Sequence, residues 1–567
     1  MTHPAGPTRY AAGVVLFSIA AFAQEPKAPL AGSKTERPRL VVMIAIDQMI
    51  PEQLERLAPL LEGGLGRFVH AGTRFRQARL QYSDTETGPG HTTYGTGMNP
   101  LHHGIVGNDW VLPEEKSASY CVSDPEARLV TAEGPTSHES MSPRNIRSPG
   151  LIDRLKQLDP QSKGFSVSSK DRAAIGMSGQ HPELALWWDK SGRGFVSSTW
   201  YGPTLPAWVV EFDGQWLASF QSAWSGGWKA LEVPSFEGTD TAPDDSPGEL
   251  AYHGQNQFPY PAPSMSAEPD AKSLAEIALV VYGSPAGDQF VCELARRAVV
   301  ALELGKDDHV DVLCLSLSSC DTVGHSFGPR SREVTDVLLR ADRQLELLFA
   351  DLDHVVGAGR WIASLSADHG VMDLPEALVQ RGIGAERVSG KLVSASIKAM
   401  RKKVAAEFGD DFFLTYDYRG VRLSWTRIQA AGKKLADVRA FAAKALQEES
   451  LDWLEHAWTL DELERVARGG EAATGWLRSC ANSFDEERTP DVMLQQKPWK
   501  LLSMGAGTTH GTPYPYDTRI PLAFYGPGFR LSENFEPASS VDALPTLMAA
   551  LGLEVPDGFD GRALIQR

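Results

Sequence analysis

A chain of 567 residues exceeds one ordinary domain, and 42% apolar against 22% charged residues is the composition of a globular protein with a substantial core. A formal net charge of −17 excludes a nucleic-acid scaffold, because no broad basic stripe is present to meet a phosphate backbone. An acidic protein that handles phosphates must concentrate positive charge locally, on bound metal ions or on a few Lys and Arg.

The chain opens with an export signal. Arg9 precedes an apolar run over residues 11–23, which ends in Ala21-Phe22-Ala23, an A-x-A-like cleavage site. That run, and every other apolar run, is shorter than the roughly 18 residues a membrane helix requires. The earliest cysteine is Cys121, so no thiol near the cleavage point can carry a lipid. A periplasmic or secreted protein is expected. Residues 24–38 read as a polar linker and residues 39–567 as one large decorated domain. An oxidising compartment permits disulfides, but five cysteines (Cys121, Cys292, Cys314, Cys320 and Cys480) leave at least one thiol unpaired.

Residues 40–46 form a continuous apolar run of strand length that ends at Asp47. Such a run predicts a central strand covered on both faces. The same design recurs at residues 310–317 before Asp321, and at 361–365 before Asp368. An amphipathic stretch at 330–355 predicts the crossover helix between these two strands. Helices are also predicted at 51–62, 150–158, 270–283 and 286–304. Strand, helix, strand with carboxylates at the strand ends describes an α/β fold, a mostly parallel sheet flanked by helices with its site at the carboxyl edge. Two regions break the alternation and read as inserted cap or lid regions. Residues 191–266 are rich in Trp, Pro, Ser and Gly, whereas 377–500 carry helical patterns around a strand-like 412–418. A core strand at 519–525 and a helix at 541–551 close the chain.

Six candidate metal ligands sit at four separated points: Asp47, Asp321 with His325, Asp368 with His369, and His510. Asp321 and His325 are four residues apart, which puts both on one face of a helical turn. Taken singly, each has a bland explanation as a helix cap or a core histidine. Together they are three carboxylates and three imidazoles, which divide into two sites of three ligands, and such ligands without thiolate suit catalytic zinc with an open position. Manganese also fits these ligand types. Thr87 begins Thr-Gly-Pro-Gly-His, where a helix should start with its positive end toward an incoming anion. By itself Thr87 reads as a helix cap; beside a metal its hydroxyl becomes a nucleophile. Lys170 and Arg172, just past a strand-like 164–167, are spaced to reach one anion, although a solvated charge run is the plainer reading of those residues alone. Asn108, otherwise an ordinary turn residue, could donate to a phosphoryl oxygen.

These motifs jointly resemble the alkaline phosphatase superfamily, and most of all the bacterial phosphate-irrepressible alkaline phosphatases, related to type I phosphodiesterases and nucleotide pyrophosphatases. The resemblance spans nearly the whole mature chain, from the run ending Ile46-Asp47-Gln48-Met49 to Asp560-Gly-Arg-Ala-Leu. It implies an alkaline-phosphatase-like catalytic domain holding two zinc ions. Asp321, His325 and His510 would hold the zinc serving the leaving-group oxygen. Asp47, Asp368 and His369 would hold the zinc that activates Thr87, which would itself coordinate that ion and become a phosphothreonine. Asn108, Lys170 and Arg172 would bind the non-bridging phosphoryl oxygens. The implied activity is hydrolysis of small-molecule phosphate monoesters by a monomer without a membrane span. A phosphodiesterase or nucleotide pyrophosphatase on the same scaffold is the alternative, and a non-catalytic exported phosphate-binding protein is a third reading. Asp84 and Glu86 are acidic neighbours for an anion site and are expected to point into solvent.

Overall fold

The computed structural model describes residues 37–252, 254–264, 269–502 and 505–565. The expected export signal, and all but the last two residues of the linker, lie outside them. Within residues 37–567 one eleven-stranded sheet organises the chain. Its centre is five parallel strands in the order Trp361–Ser366, Leu40–Ile46, Asp311–Leu317, Gly164–Ser168, Leu184–Asp189. Antiparallel strands flank this centre on both sides, among them Leu522–Tyr525 beside Trp361–Ser366 and Gly194–Ser198 beside Leu184–Asp189. The α/β reading of the sequence therefore holds, with parallel pairing concentrated where both faces are buried.

All seven residues of Leu40–Ile46 are buried. A strand covered on both faces gains nothing from alternating polarity, and each buried Leu or Ile contributes about 1.5–3 kcal/mol. The crossover helix is Arg332–Leu352. It buries Val334, Val337, Leu338, Leu345 and Leu348 at helical spacing, and Ser331 caps it by accepting from the Val334 amide at 3.1 Å. The predicted helices near 51, 150, 270 and 286 also form, as Pro51–Leu57, Leu151–Leu158, Ala271–Tyr282 and Pro285–Ala301.

Within 191–266, Gly194–Ser198 joins the main sheet, and two helices, Ala207–Asp213 and Trp216–Trp224, follow. Both helices are short and aromatic-rich, so their hydrophobic spacing is not readable against the flanking Pro and Gly. Within 377–500 a separate antiparallel sheet runs in the order Phe413–Tyr416, Gly420–Leu423, Val492–Gln496, Leu454–Thr459. Helices Gly390–Phe408 and Leu435–Glu449 pack on it around a core of its own that includes Met400, Val421, Leu446 and Trp453. All five cysteines are buried free thiols. Among the described residues no helix is long and apolar enough to cross a membrane.

Candidate active site

Four neighbouring parallel strands end level with one another, and each is followed by a polar group from the sequence reading. Ile46 pairs with Leu317, Ala45 with Ser366, and Ser316 with Ser168, so Asp47, Asp321, Asp368 and Lys170 emerge along one edge. Asp321 and His325 lie one turn apart on the helix Ser319–Phe327. His510 arrives on a late loop.

These side chains form two triads, Asp321–His325–His510 and Asp47–Asp368–His369, whose ligand atoms lie within 4.8 Å of one another in each. In the first, His325 Nε2 and His510 Nε2 are 3.2 and 3.6 Å from Asp321 Oδ1. In the second, His369 Nε2 is 3.2 Å from Asp368 Oδ2 and 3.6 Å from Asp47 Oδ1. Every imidazole is oriented the same way. Nδ1 of His325 faces the Thr508 carbonyl at 2.8 Å, that of His510 the Thr85 carbonyl at 2.7 Å, and that of His369 the Gly370 carbonyl at 3.0 Å. A carbonyl only accepts, so Nδ1 carries the hydrogen and Nε2 keeps a lone pair aimed at the carboxylates, the tautomer a metal ligand needs.

The residues fit divalent ions on a second ground. Asp47 Oδ1 and His369 Nε2 are buried without a hydrogen-bond partner, and such orphaned groups are costly. Burial, then the neighbouring Asp321 and Asp368, push the Asp47 carboxyl up to about 6. Burial disfavours charge on His369, yet Asp368 and Asp47 outweigh it and push the ring up to about 9. The carboxylates thus demand a positive charge at Nε2, which a proton or a cation can supply. His510 is pushed down to about 4 by burial and by His369.

The helix Thr87–Thr96 begins at Thr87, with Glu86 at the cap position and no side chain capping it. The Thr87 hydroxyl is therefore free of a capping bond and instead accepts from Arg172 Nη2 at 3.3 Å. Gly90 lets this helix press on the loop carrying Asp368, since a Cβ there would stand 2.1 Å from the Asp368 carbonyl oxygen. Asn108 Oδ1 accepts from the Gly88 amide at 2.7 Å, so its amide nitrogen is the end left for an anion. Thr87, Asn108 and Arg172 share one cavity of about 400 Å³ with Asp321, His325 and His510. Lys170 Nζ lies between the triads, 2.7 Å from Asp47 Oδ2 and 2.5 Å from Asp321 Oδ2. Burial disfavours the Lys170 charge, but these two carboxylates hold its pKa above the ordinary lysine range.

Asp84 and Glu86 do not point into solvent: both are buried. Arg419 pairs with Asp84 at 3.0 Å, and the Tyr418 hydroxyl donates to Glu86. Tyr418 and Arg419 occupy the turn between Phe413–Tyr416 and Gly420–Leu423, so the region expected to cover the active face gives Asp84 an ion pair and Glu86 a hydrogen bond. The Asn108 backbone N–H also donates to Glu86 Oε2 at 2.6 Å, which makes Glu86 an anchor for the segment carrying Asn108.

Gln48 escaped the sequence reading. Its backbone N–H donates to Asp368 Oδ1 at 3.0 Å and its side-chain amide to Asp321 Oδ1 at 2.8 Å, one link into each triad. It adopts φ +70°, a conformation that costs a non-glycine residue about 1–3 kcal/mol and marks a constrained site. His91 is a further link: its Nδ1 faces both the Thr87 carbonyl at 2.9 Å and Asp368 Oδ2 at 3.1 Å. For Gln48 the only signal was adjacency to Asp47.

A parallel sheet edge carrying paired carboxylate–imidazole triads and a threonine is that of a metal-dependent α/β hydrolase. The sequence model of the type I phosphodiesterase / nucleotide pyrophosphatase family matches residues 41–512, and the chain belongs to that family, within the alkaline phosphatase superfamily. It is 30% identical to alkaline phosphatase PafA of Elizabethkingia meningoseptica over 570 residues, 99% of each chain. It is also 30% identical to alkaline phosphatase PhoV of Synechococcus elongatus over 563 residues, 97% of each. The crystal structure of wild-type alkaline phosphatase PafA superposes with a TM-score of 0.81, covering 94% of this chain and 99% of that one.

Proposed function

We propose that the chain is an exported alkaline phosphatase that hydrolyses phosphate monoesters through Thr87, with two zinc ions held by Asp47, Asp368 and His369 and by Asp321, His325 and His510. The observation that carries this reading is the contact of Arg172 with the Thr87 hydroxyl inside a cavity bordered by one complete carboxylate–imidazole triad. Full-length similarity to several enzymes named alkaline phosphatase supports the reaction class. Zinc at these positions would lower the pKa of a coordinated hydroxyl and stabilise charge on the entering and leaving oxygens.

Thr87 Oγ1 attacks phosphorus, losing its proton as the new bond forms and the ester P–O bond breaks. The alcohol leaves with a proton, and water then cleaves the phosphothreonine to release inorganic phosphate and restore the hydroxyl. Arg172 and Asn108 orient the phosphoryl oxygens. Lys170 tethers Asp47 and Asp321 and adds positive charge where a dianion needs it. The helix beginning at Thr87 turns the positive end of its dipole toward the same anion.

The family's phosphodiesterase members supply the second reading. A diester carries one negative charge and a second organic group, so buried cations favour the monoester. With zinc present, Arg172→Ala should lower kcat/KM for an aryl monoester by about 10²-fold, one charge-assisted contact in a desolvated site, and that for the aryl diester by far less. Thr87→Ala should abolish release from both. Equal losses on the two substrates refute the monoesterase assignment, and unimpaired turnover by Thr87→Ala refutes the nucleophile.

A further inference from the structure

The cavity over Thr87 is larger than a phosphoryl group requires, and its 400 Å³ falls within the range of about 300–1,000 Å³ that takes a whole small organic molecule. Besides Thr87, Asn108, Arg172 and the Asp321 triad, its lining includes a second wall of Tyr418, Trp453, Leu494, Gln495, Gln496 and Leu502.

Most of that second wall belongs to the small sheet and its helices. Trp453 is part of their apolar core, and Leu494 and Leu502 are half-buried against it. The Trp453 indole N–H donates to Ser396 Oγ at 3.3 Å, and the Tyr418 hydroxyl is tied to Glu86, so both rings are fixed before a ligand arrives. Arg172 is the only Lys or Arg among the described residues lining the cavity, and Glu86 is its only acid outside the triad. A second anionic group on the substrate would therefore find no Lys or Arg side chain of its own along this lining. An apolar group would displace water from Leu494 and Leu502, which is favourable in proportion to the area covered.

We propose that this wall is the leaving-group subsite, and that it selects monoesters of uncharged aromatic or apolar alcohols over those of short alcohols or of alcohols bearing a second phosphate. The proposal rests on the monoesterase reading. It adds that the alcohol departs past the Asp321 triad into a preformed apolar recess contributed by residues 418–502.

Benzyl and ethyl phosphate test it, because their alcohols have comparable acidity and differ mainly in the surface they can bury. The wild-type kcat/KM for benzyl phosphate should exceed that for ethyl phosphate by about 10–100-fold. Leu494→Asn and Leu502→Asn should each cut this ratio by about fivefold or more. A ratio is independent of the fraction of folded enzyme, so a poorly folding variant does not disguise the result. Butane-1,4-diol bisphosphate should turn over more slowly than butyl phosphate. A wild-type ratio near one, or a ratio unmoved by both substitutions, overturns the subsite while the monoesterase reading stands. Release of phosphate from neither ester, with turnover of a diester, overturns the monoesterase reading itself.

Discussion

Arg419→Met would strand the Asp84 carboxylate three residues before Thr87. Arg419 is 3% exposed and Asp84 5%, and their 3.0 Å pair has no solvent to replace a missing partner. Removing one member of such a buried pair costs about 3–5 kcal/mol, because the remaining charge is left uncompensated. The loss should depend on pH. Burial already pushes Asp84 up to about 6 against the pull of Arg419, with Glu86 pushing further. Without the guanidinium the folded-state value climbs higher above the unfolded one. A carboxyl raised in this way is harmless below its unfolded pKa and destabilises the fold as pH rises through the folded value. Urea denaturation at pH 5.5 and 8.5 should therefore show a small penalty at the lower pH and the full one at the higher. Asp84→Asn combined with Arg419→Met should recover most of it. A variant as stable as wild type at pH 8.5, or one with equal penalties at both pH values, would show that the pair does not neutralise a buried charge.

Two further outcomes follow from other contacts. Gln48→Leu removes the amide link to Asp321 while keeping the backbone link to Asp368, so zinc affinity measured by chelator competition should fall about 10–100-fold, with little change in the metal-free fold; unchanged affinity would make Gln48 incidental. Asp213 accepts from the Phe195 amide at 2.8 Å through one oxygen, its other oxygen is buried without a partner, and burial pushes it up to about 8. Its raised value means stability is retained at low pH and lost as pH climbs through 8, a loss of about 2–3 kcal/mol between pH 6 and 9 by linkage. Asp213→Asn should flatten that slope in denaturation experiments, and parallel slopes for the two proteins would refute the assignment.

Several features were legible in the residues themselves. An all-apolar run such as residues 40–46 can satisfy its surface only in the middle of a covered sheet, so the strand and its terminal Asp47 could be read together. Asp321 with His325, and Asp368 with His369, were legible as ligand pairs because their partners lie within one turn. The alternation of runs and amphipathic helices was sufficient for the α/β class and for four of the five central parallel strands.

What stayed illegible depends on contacts across hundreds of residues. Nothing local distinguishes Asp84 beside Arg419 from a solvated acid, since the two lie 335 positions apart and burial is a property of the pair. The contacts of Lys170 with Asp47 and Asp321 were not legible either, because strand order alone places its Nζ between them. Gln48 became a structural link only because the sheet sets its strand between the strands that lead to Asp321 and Asp368. Local sequence determined which side chains can bind metal or attack phosphorus, because ligand chemistry belongs to the residue type. Tertiary packing decided which of them meet, what neutralises their neighbours and what walls the cavity, because distance and desolvation exist only once the chain has folded.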